Sequence, residues 1–193
     1  SDGVLAGYVI GGRTVSTAVS TAWKTVFATD TTAAETDADA PIPIQEYSSL
    51  SEGATKGYHA GGAGVLAAYK LTYATDTTAA ETDADLPSNR ASASGLSDQS
   101  TNGYWCGGGV STVSRLVFAT DTTSAYTDTN LTESKVVAAE INEGPTYGYV
   151  IGGGWYSTIA NKLTFATEVF AAATDADLGT AKAAASGVSD GAV

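Results

Sequence analysis

Thirteen residues starting at Phe27, FATDTTAAETDAD, return at Tyr73 as YATDTTAAETDAD, and looser copies start at Phe118 and Phe165. A second phrase keeps step with the first: GYVIGG at Gly7, GYHAGG at Gly57, GYWCGG at Gly103 and GYVIGG at Gly148. The spacing is 46 residues both from Phe27 to Tyr73 and from Gly57 to Gly103. Self-similarity at such a period means one small structural unit built four times. A unit this short cannot bury a hydrophobic face alone, so the units must stack on one another.

The third unit shows what is stacked. RASASGLSD is a run of small residues suited to an inner strand. STN turns the chain into GYWCGGG, a short aromatic strand stopped by glycines. VSTVSRLVFATD mixes Val113, Leu116 and Phe118 with polar neighbours in the manner of a strand. DTT reads as a turn, because Asp and Thr side chains bond to nearby backbone. SAYTDTN supplies an outer strand. Four short antiparallel strands per unit, repeated radially, predict an all-β fold: a β-propeller of four blades. A linear solenoid is the competing geometry, and four strands in so few residues favour the blade.

The paired glycines after the second strand, Gly11-Gly12, Gly61-Gly62, Gly107-Gly108 and Gly152-Gly153, resemble the double glycine of kelch repeats. LPSNR at Leu86 to Arg90 resembles the kelch stretch leading into the next inner strand. The aromatics Phe27, Tyr73, Phe118 and Phe165, each followed three residues later by an acid, are also similar. The kelch Trp after the turn is replaced here by Ala or Thr. The pattern covers essentially the whole chain and is closer still to kelch-like arrays of phage structural and tail proteins, cyanophage ones among them. The resemblance implies a propeller of kelch-like four-stranded blades and a structural or binding role.

The units are read as residues 1–43, 44–89, 90–134 and 135–181. AKAAASGVSDGAV at the C-terminal end matches NRASASGLSDQST, so residues 182–193 are expected to supply the innermost strand of the first blade and close the ring. Alternatively, four units form half of a larger ring completed by a second chain. The inner-strand segments ASASG, KVVAAE and AKAAASG are mostly Ala, Ser and Val, which suit a crowded axis.

Composition narrows the function. A net charge of -12 disfavours a nucleic-acid backbone, which is bound by basic stripes. No long apolar run is present, so no membrane insertion is expected. The lone Cys106 excludes an internal disulfide framework. The absence of Met and a first residue of Ser1 suit a processed or excised piece.

Catalysis is not expected. His59 is the only histidine and stands in a column with Val9, Trp105 and Val150, which reads as a strand histidine rather than the centre of a triad. Cys106 aligns with Ile10, Ala60 and Ile151 and reads as a core hydrophobe. A copper site of the galactose-oxidase kind implies two or more histidines. A sialidase-like site implies converging arginines, whereas Arg13, Arg90 and Arg115 fall in non-equivalent places. No cofactor is expected. Calcium is the one metal weighed, at the paired carboxylates Asp37/Asp39, Asp83/Asp85 and Asp175/Asp177, which would share a face on a strand; a solvated acidic edge is the plainer reading. The repeated bases Lys24, Lys70, Arg115 and Lys162 are expected to pair locally, and the repeated acids Asp30, Asp76, Asp121 and Glu168 to cap their turns.

The segments between the double glycine and the repeated base differ in length and content, whereas the DTT turns on the opposite side barely change. Variable loops on one face of a constant scaffold are where binding sits. The candidate contacts there are Trp155, Tyr156, Trp23 and Tyr69, whose rings suit stacking on sugars. The expectation is a non-catalytic binding or structural module, extracellular or virion-associated, such as a tail or fibre component or a lectin-like adhesin. It would engage a glycan or protein surface, as a homo-oligomer or within a larger assembly. The alternative is an intracellular kelch-type scaffold for a protein partner.

Overall fold

The repeated phrases become strands in the computed structural model, which describes residues 5–154 and 156–188. Sheet one holds β1 (Ala6–Ile10), β2 (Ala22–Val26) and β3 (Thr31–Ala34). Sheet two holds β4 (Ser48–Glu52), β5 (Lys56–Ala60), β6 (Ala68–Thr72) and β7 (Thr77–Ala80). Sheet three holds β8 (Ala93–Ser97), β9 (Asn102–Gly107), β10 (Val113–Val117) and β11 (Thr122–Tyr126). Sheet four holds β12 (Ala139–Glu143), β13 (Tyr147–Ile151), β14 (Ala160–Thr164) and β15 (Val169–Ala172). Each sheet is an antiparallel meander in chain order. The fold is all-β, four such sheets in a propeller-like arrangement.

Two devices shape each unit. The repeated acid of the FATD turn takes a left-handed backbone, with φ of 52° at Asp30, 54° at Asp76, 53° at Asp121 and 54° at Glu168. Asp tolerates that region better than most residues. Threonine hydroxyls staple three of these turns, from Thr29 to Thr31, Thr75 to Thr77 and Thr120 to Thr122, at 2.6–2.7 Å. At the other end, Gly61 (φ 77°) and Gly107 (φ 75°) let the chain of the following unit come close. A Cβ there would stand 2.6 Å from the Arg90 carbonyl oxygen and 2.7 Å from that of Lys135. The second glycine of each pair donates its N–H to the following unit: Gly12 to Ile44, Gly62 to Arg90, Gly108 to Lys135 and Gly153 to Lys182, at 2.8–3.0 Å.

Alternation along the strands gives every sheet two apolar faces, and consecutive sheets bury them against each other. Ile10, Ala22, Ile44, Tyr69 and Leu71 fill the space between sheets one and two. Leu50, Tyr58, Ala68, Trp105, Leu116 and Phe118 fill that between two and three. Leu96, Tyr104, Val113, Val150, Leu163 and Phe165 fill that between three and four. The inner strands β4, β8 and β12 touch through small residues. Ser97 Oγ donates to the Ser51 carbonyl at 2.6 Å, and Ser94 Oγ donates to that of Ala138 at 3.2 Å. A Cβ on Gly95 would drive into the Ser49 carbonyl.

The first sheet has three strands among the described residues, not four. The closing segment expected at 182–193 is described only to residue 188, and 182–188 joins no named strand. Its beginning does follow the repeat, since Gly187 packs on Glu140 as Gly95 packs on Ser49. The inner strand expected over KVVAAE starts later, at Ala139. Residues 135–138 instead carry a buried lysine and the connection between sheets.

Candidate functional site

The repeated charges join one sheet to the next. Tyr8 of sheet one donates its hydroxyl to Asp76 of sheet two, Lys24 reaches the same carboxylate at 2.7 and 2.8 Å, and the Tyr8 and Tyr73 rings stack at 5.6 Å. Tyr58 of sheet two donates to Asp121 of sheet three. Lys56 and Lys70 hold that carboxylate at 2.7 Å each, and Tyr58 stacks on Phe118 at 5.8 Å. Tyr104 of sheet three donates to Glu168 of sheet four at 2.6 Å, with Arg115 at 2.7 Å on its other oxygen and Phe165 stacked at 5.9 Å. This corrects the expectation of local pairing and turn capping: the left-handed turn swings each acid out toward the preceding sheet. Lys70 also bonds within its own unit, to Glu81, and Lys56 pairs within its own sheet with Glu52 at 3.3 Å.

Burial alone would raise the Asp121 pKa, but hydrogen bonds from Lys56, Lys70 and Tyr58 prevail and hold it at about 2. Burial, then the neighbouring acid, pushes the Tyr58 and Tyr104 hydroxyls well above the usual phenol range. They remain protonated donors at any ordinary pH. Hydrogen bonds to a charged partner contribute about 1.5–3 kcal/mol each, more than an exposed ion pair.

Two buried bases form the floor of the variable loops, a role the sequence reading missed. Arg90 donates to the carbonyls of Gly107 and Thr112 at 2.7 Å and to the hydroxyls of Thr112 and Ser114 at 3.0 and 3.1 Å. Lys135 repeats this one unit on, bonding the carbonyls of Gly152 at 2.8 Å and Ile159 at 2.9 Å, Ser157 at 3.1 Å and Glu133 at 2.6 Å. The signal was a basic residue in one repeat column, Arg90, Lys135 and Lys182, with Ile44 as its apolar member. Side chains buried within a unit fix these loops, which leaves their tips free to vary.

The tips share one face with the connections between sheets, as the bridges Val19 to Ile44, Val110 to Lys135 and Ser157 to Lys182 show. Of the expected contacts, Tyr156 is 71% exposed at a tip, with φ of 68°. Trp155 lies outside the described residues. Trp23 is exposed, but on the open side of sheet one rather than at a tip. Tyr69 is 4% exposed and stacks on His59 at 5.4 Å, so neither ring face is open to a ligand from solvent. Val15 and Leu66 are exposed apolar residues in these loops that the sequence reading passed over.

The paired aspartates do not share a strand face. Thr36–Ala38, Thr82–Ala84 and Thr174–Ala176 are single 3₁₀ turns. Asp39, Asp85 and Asp177 close them by accepting the N–H of Ala22, Ala68 and Ala160 at 2.6–2.7 Å. That leaves Asp37, Asp83 and Asp175 in the turn itself, and no group of three metal-ligating side chains occurs among the described residues.

A cavity of about 350 Å³ opens among the inner strands, bounded by Tyr8, Tyr47, Ser49, His59, Glu140 and Asn142. His59 is buried, its Nε2 has no hydrogen-bond partner among the described residues, and burial lowers its pKa to about 4. The imidazole is neutral at pH 7 and acts as an aromatic filler between Tyr47 and Tyr69. Cys106 is fully buried, and burial pushes its thiol well above the usual range, away from nucleophilic use. Among the described residues no helix is long and apolar enough to cross a membrane. No protein-family model matches this chain, and no curated protein matches it significantly in sequence.

Proposed function

We propose that this chain is a non-catalytic binding and structural module of the kelch-like kind, extracellular or virion-associated, that presents its variable-loop face to glycans. The observation that carries the reading is the division of labour within the third and fourth units. Buried Arg90 and Lys135 anchor the feet of loops whose tips differ in every copy. Tyr156 stands at one tip with its ring in solvent, beside small hydroxyl residues, the chemistry that stacks on a sugar ring and bonds its edge.

A glycan array, followed by tryptophan fluorescence titration with any hit, tests this. Binding that falls at least about tenfold in Tyr156→Ala, with melting unchanged, supports the proposal. An array without hits removes the sugar-binding version. Exposed Val15 and Leu66 favour a second reading, in which the same face holds a protein partner as an intracellular scaffold. Pull-down from a host lysate with the loops of units one and two exchanged distinguishes it, since capture must follow the loops.

A further inference from the structure

Three joints between consecutive sheets use one device, and the two ends of the array carry the halves of a fourth. On sheet four Tyr149 stands opposite Lys162, as Tyr8 stands opposite Lys24, Tyr58 opposite Lys70 and Tyr104 opposite Arg115. On sheet one Phe27 occupies the column of Tyr73, Phe118 and Phe165, and Asp30 occupies the column of Asp76, Asp121 and Glu168. Asp30 has the same left-handed backbone that aims the other acids at a preceding sheet.

Among the described residues no ion pair or ring contact joins these halves. Lys162 lies over its own sheet's rings, 3.3 Å from the Tyr147 centroid and 5.7 Å from that of Tyr149. Among the described residues Asp30 makes no ion pair. Val9 is 63% exposed and Phe27 46%, whereas His59, Trp105 and Val150 in the column of Val9 are buried. Lys182 is exposed, although Arg90 and Lys135 in its column are buried within the unit they open.

We propose that these two faces form one interface between copies of this chain. Sheet four of one copy packs on sheet one of a second, Tyr149 stacks on Phe27, and Asp30 accepts from the Tyr149 hydroxyl and Lys162. A second copy is the occupant because the sending face of sheet four matches, column for column, the receiving face that sheet one leaves in solvent. The charges are complementary, a cation and a phenol donor on one side and a carboxylate on the other. Because the two faces differ, the association is head-to-tail.

Light scattering and sedimentation of the whole chain, from on the order of 1 to 100 μM, test this with Asp30→Lys, Lys162→Asp and the double exchange. Wild type is expected at the mass of two or more chains. Either single exchange weakens association at least about tenfold, and the double exchange restores it. Circular dichroism checks that each variant is folded, and Tyr149→Phe offers a milder variant that keeps every charge. A wild type that stays monomeric throughout overturns the proposal. So does association indifferent to the single exchanges. A monomer whose melting temperature falls in the singles and recovers in the double also overturns it, placing the joint within one chain.

Discussion

The joint between sheets two and three and the outward face of sheet one use the same repeat columns and sit in opposite environments. Trp105, Leu116 and Phe118 line the first and are buried; Val9, Thr25 and Phe27 hold the same columns on the second, and Val9 and Phe27 are exposed. The repeated motif is therefore half of a contact, with its acid and second ring needed on one sheet and the phenol and base on the sheet before it. A repeat column in solvent marks a place where a neighbour is called for, whereas the same column buried marks a joint already made. Thr25 is the one substitution in this set toward a polar residue, where Leu71, Leu116 and Leu163 stand in the other units.

The contrast is broken most severely by truncating one column at both places. Trp105→Ala is expected to cost about 3–5 kcal/mol in urea denaturation, because it empties a fully buried site, while Val9→Ala costs under about 1. Acid acts next, through His59. Its folded pKa of about 4 lies below the roughly 6.5 of the unfolded chain. Stability is therefore complete above pH 6.5 and is lost as pH falls toward 4, by on the order of 3 kcal/mol. His59→Val, which installs the residue of two sister units, is expected to flatten that slope in melting curves taken against pH. A third and smaller loss follows from Asp121, held at about 2 against roughly 4 when unfolded. Its contribution is present above pH 4 and disappears as pH falls through 2, and Asp121→Asn removes about 2 kcal/mol at neutral pH and this dependence together. The least effect separates the two regions most finely. Tyr58→Phe deletes a donor to a buried-side carboxylate and costs about 1–2 kcal/mol, whereas Tyr149→Phe leaves the stability of an isolated chain within about 0.5.

The four-fold reading was legible because small residues, glycine pairs and alternating apolar positions repeat in phase, and each maps onto a physical need: a crowded axis, a close backbone approach, a sheet face. Partner identity was not legible. Lys70 and Asp121 stand in different units, and a repeated base and a repeated acid spaced by the period look alike whether they pair within a unit or across to the next. What decides between those is the left-handed turn at Asp121, a backbone choice that Asp permits and does not announce. The aspartate pairs were misplaced onto a strand for a related reason: a 3₁₀ turn of three residues leaves no periodicity to read. Tyr69 was drawn to the surface by its place at the end of a variable segment. Its register opposite His59 puts it on the face that sheet two buries against sheet one.

Each sheet holds the next through an acid reaching back to a phenol and a base, and a charge-exchange cycle at Arg115 and Glu168 probes that joint. Chemical denaturation of Arg115→Glu, Glu168→Arg and the double variant gives the coupling between the two sites. Each single exchange is expected to cost about 2 kcal/mol and the double to recover at least half of the summed loss, because the pair spans sheets three and four at 2.7 Å. Losses that simply add would show that the two groups do not face each other across that joint, and the propeller-like stacking built on it would be contradicted.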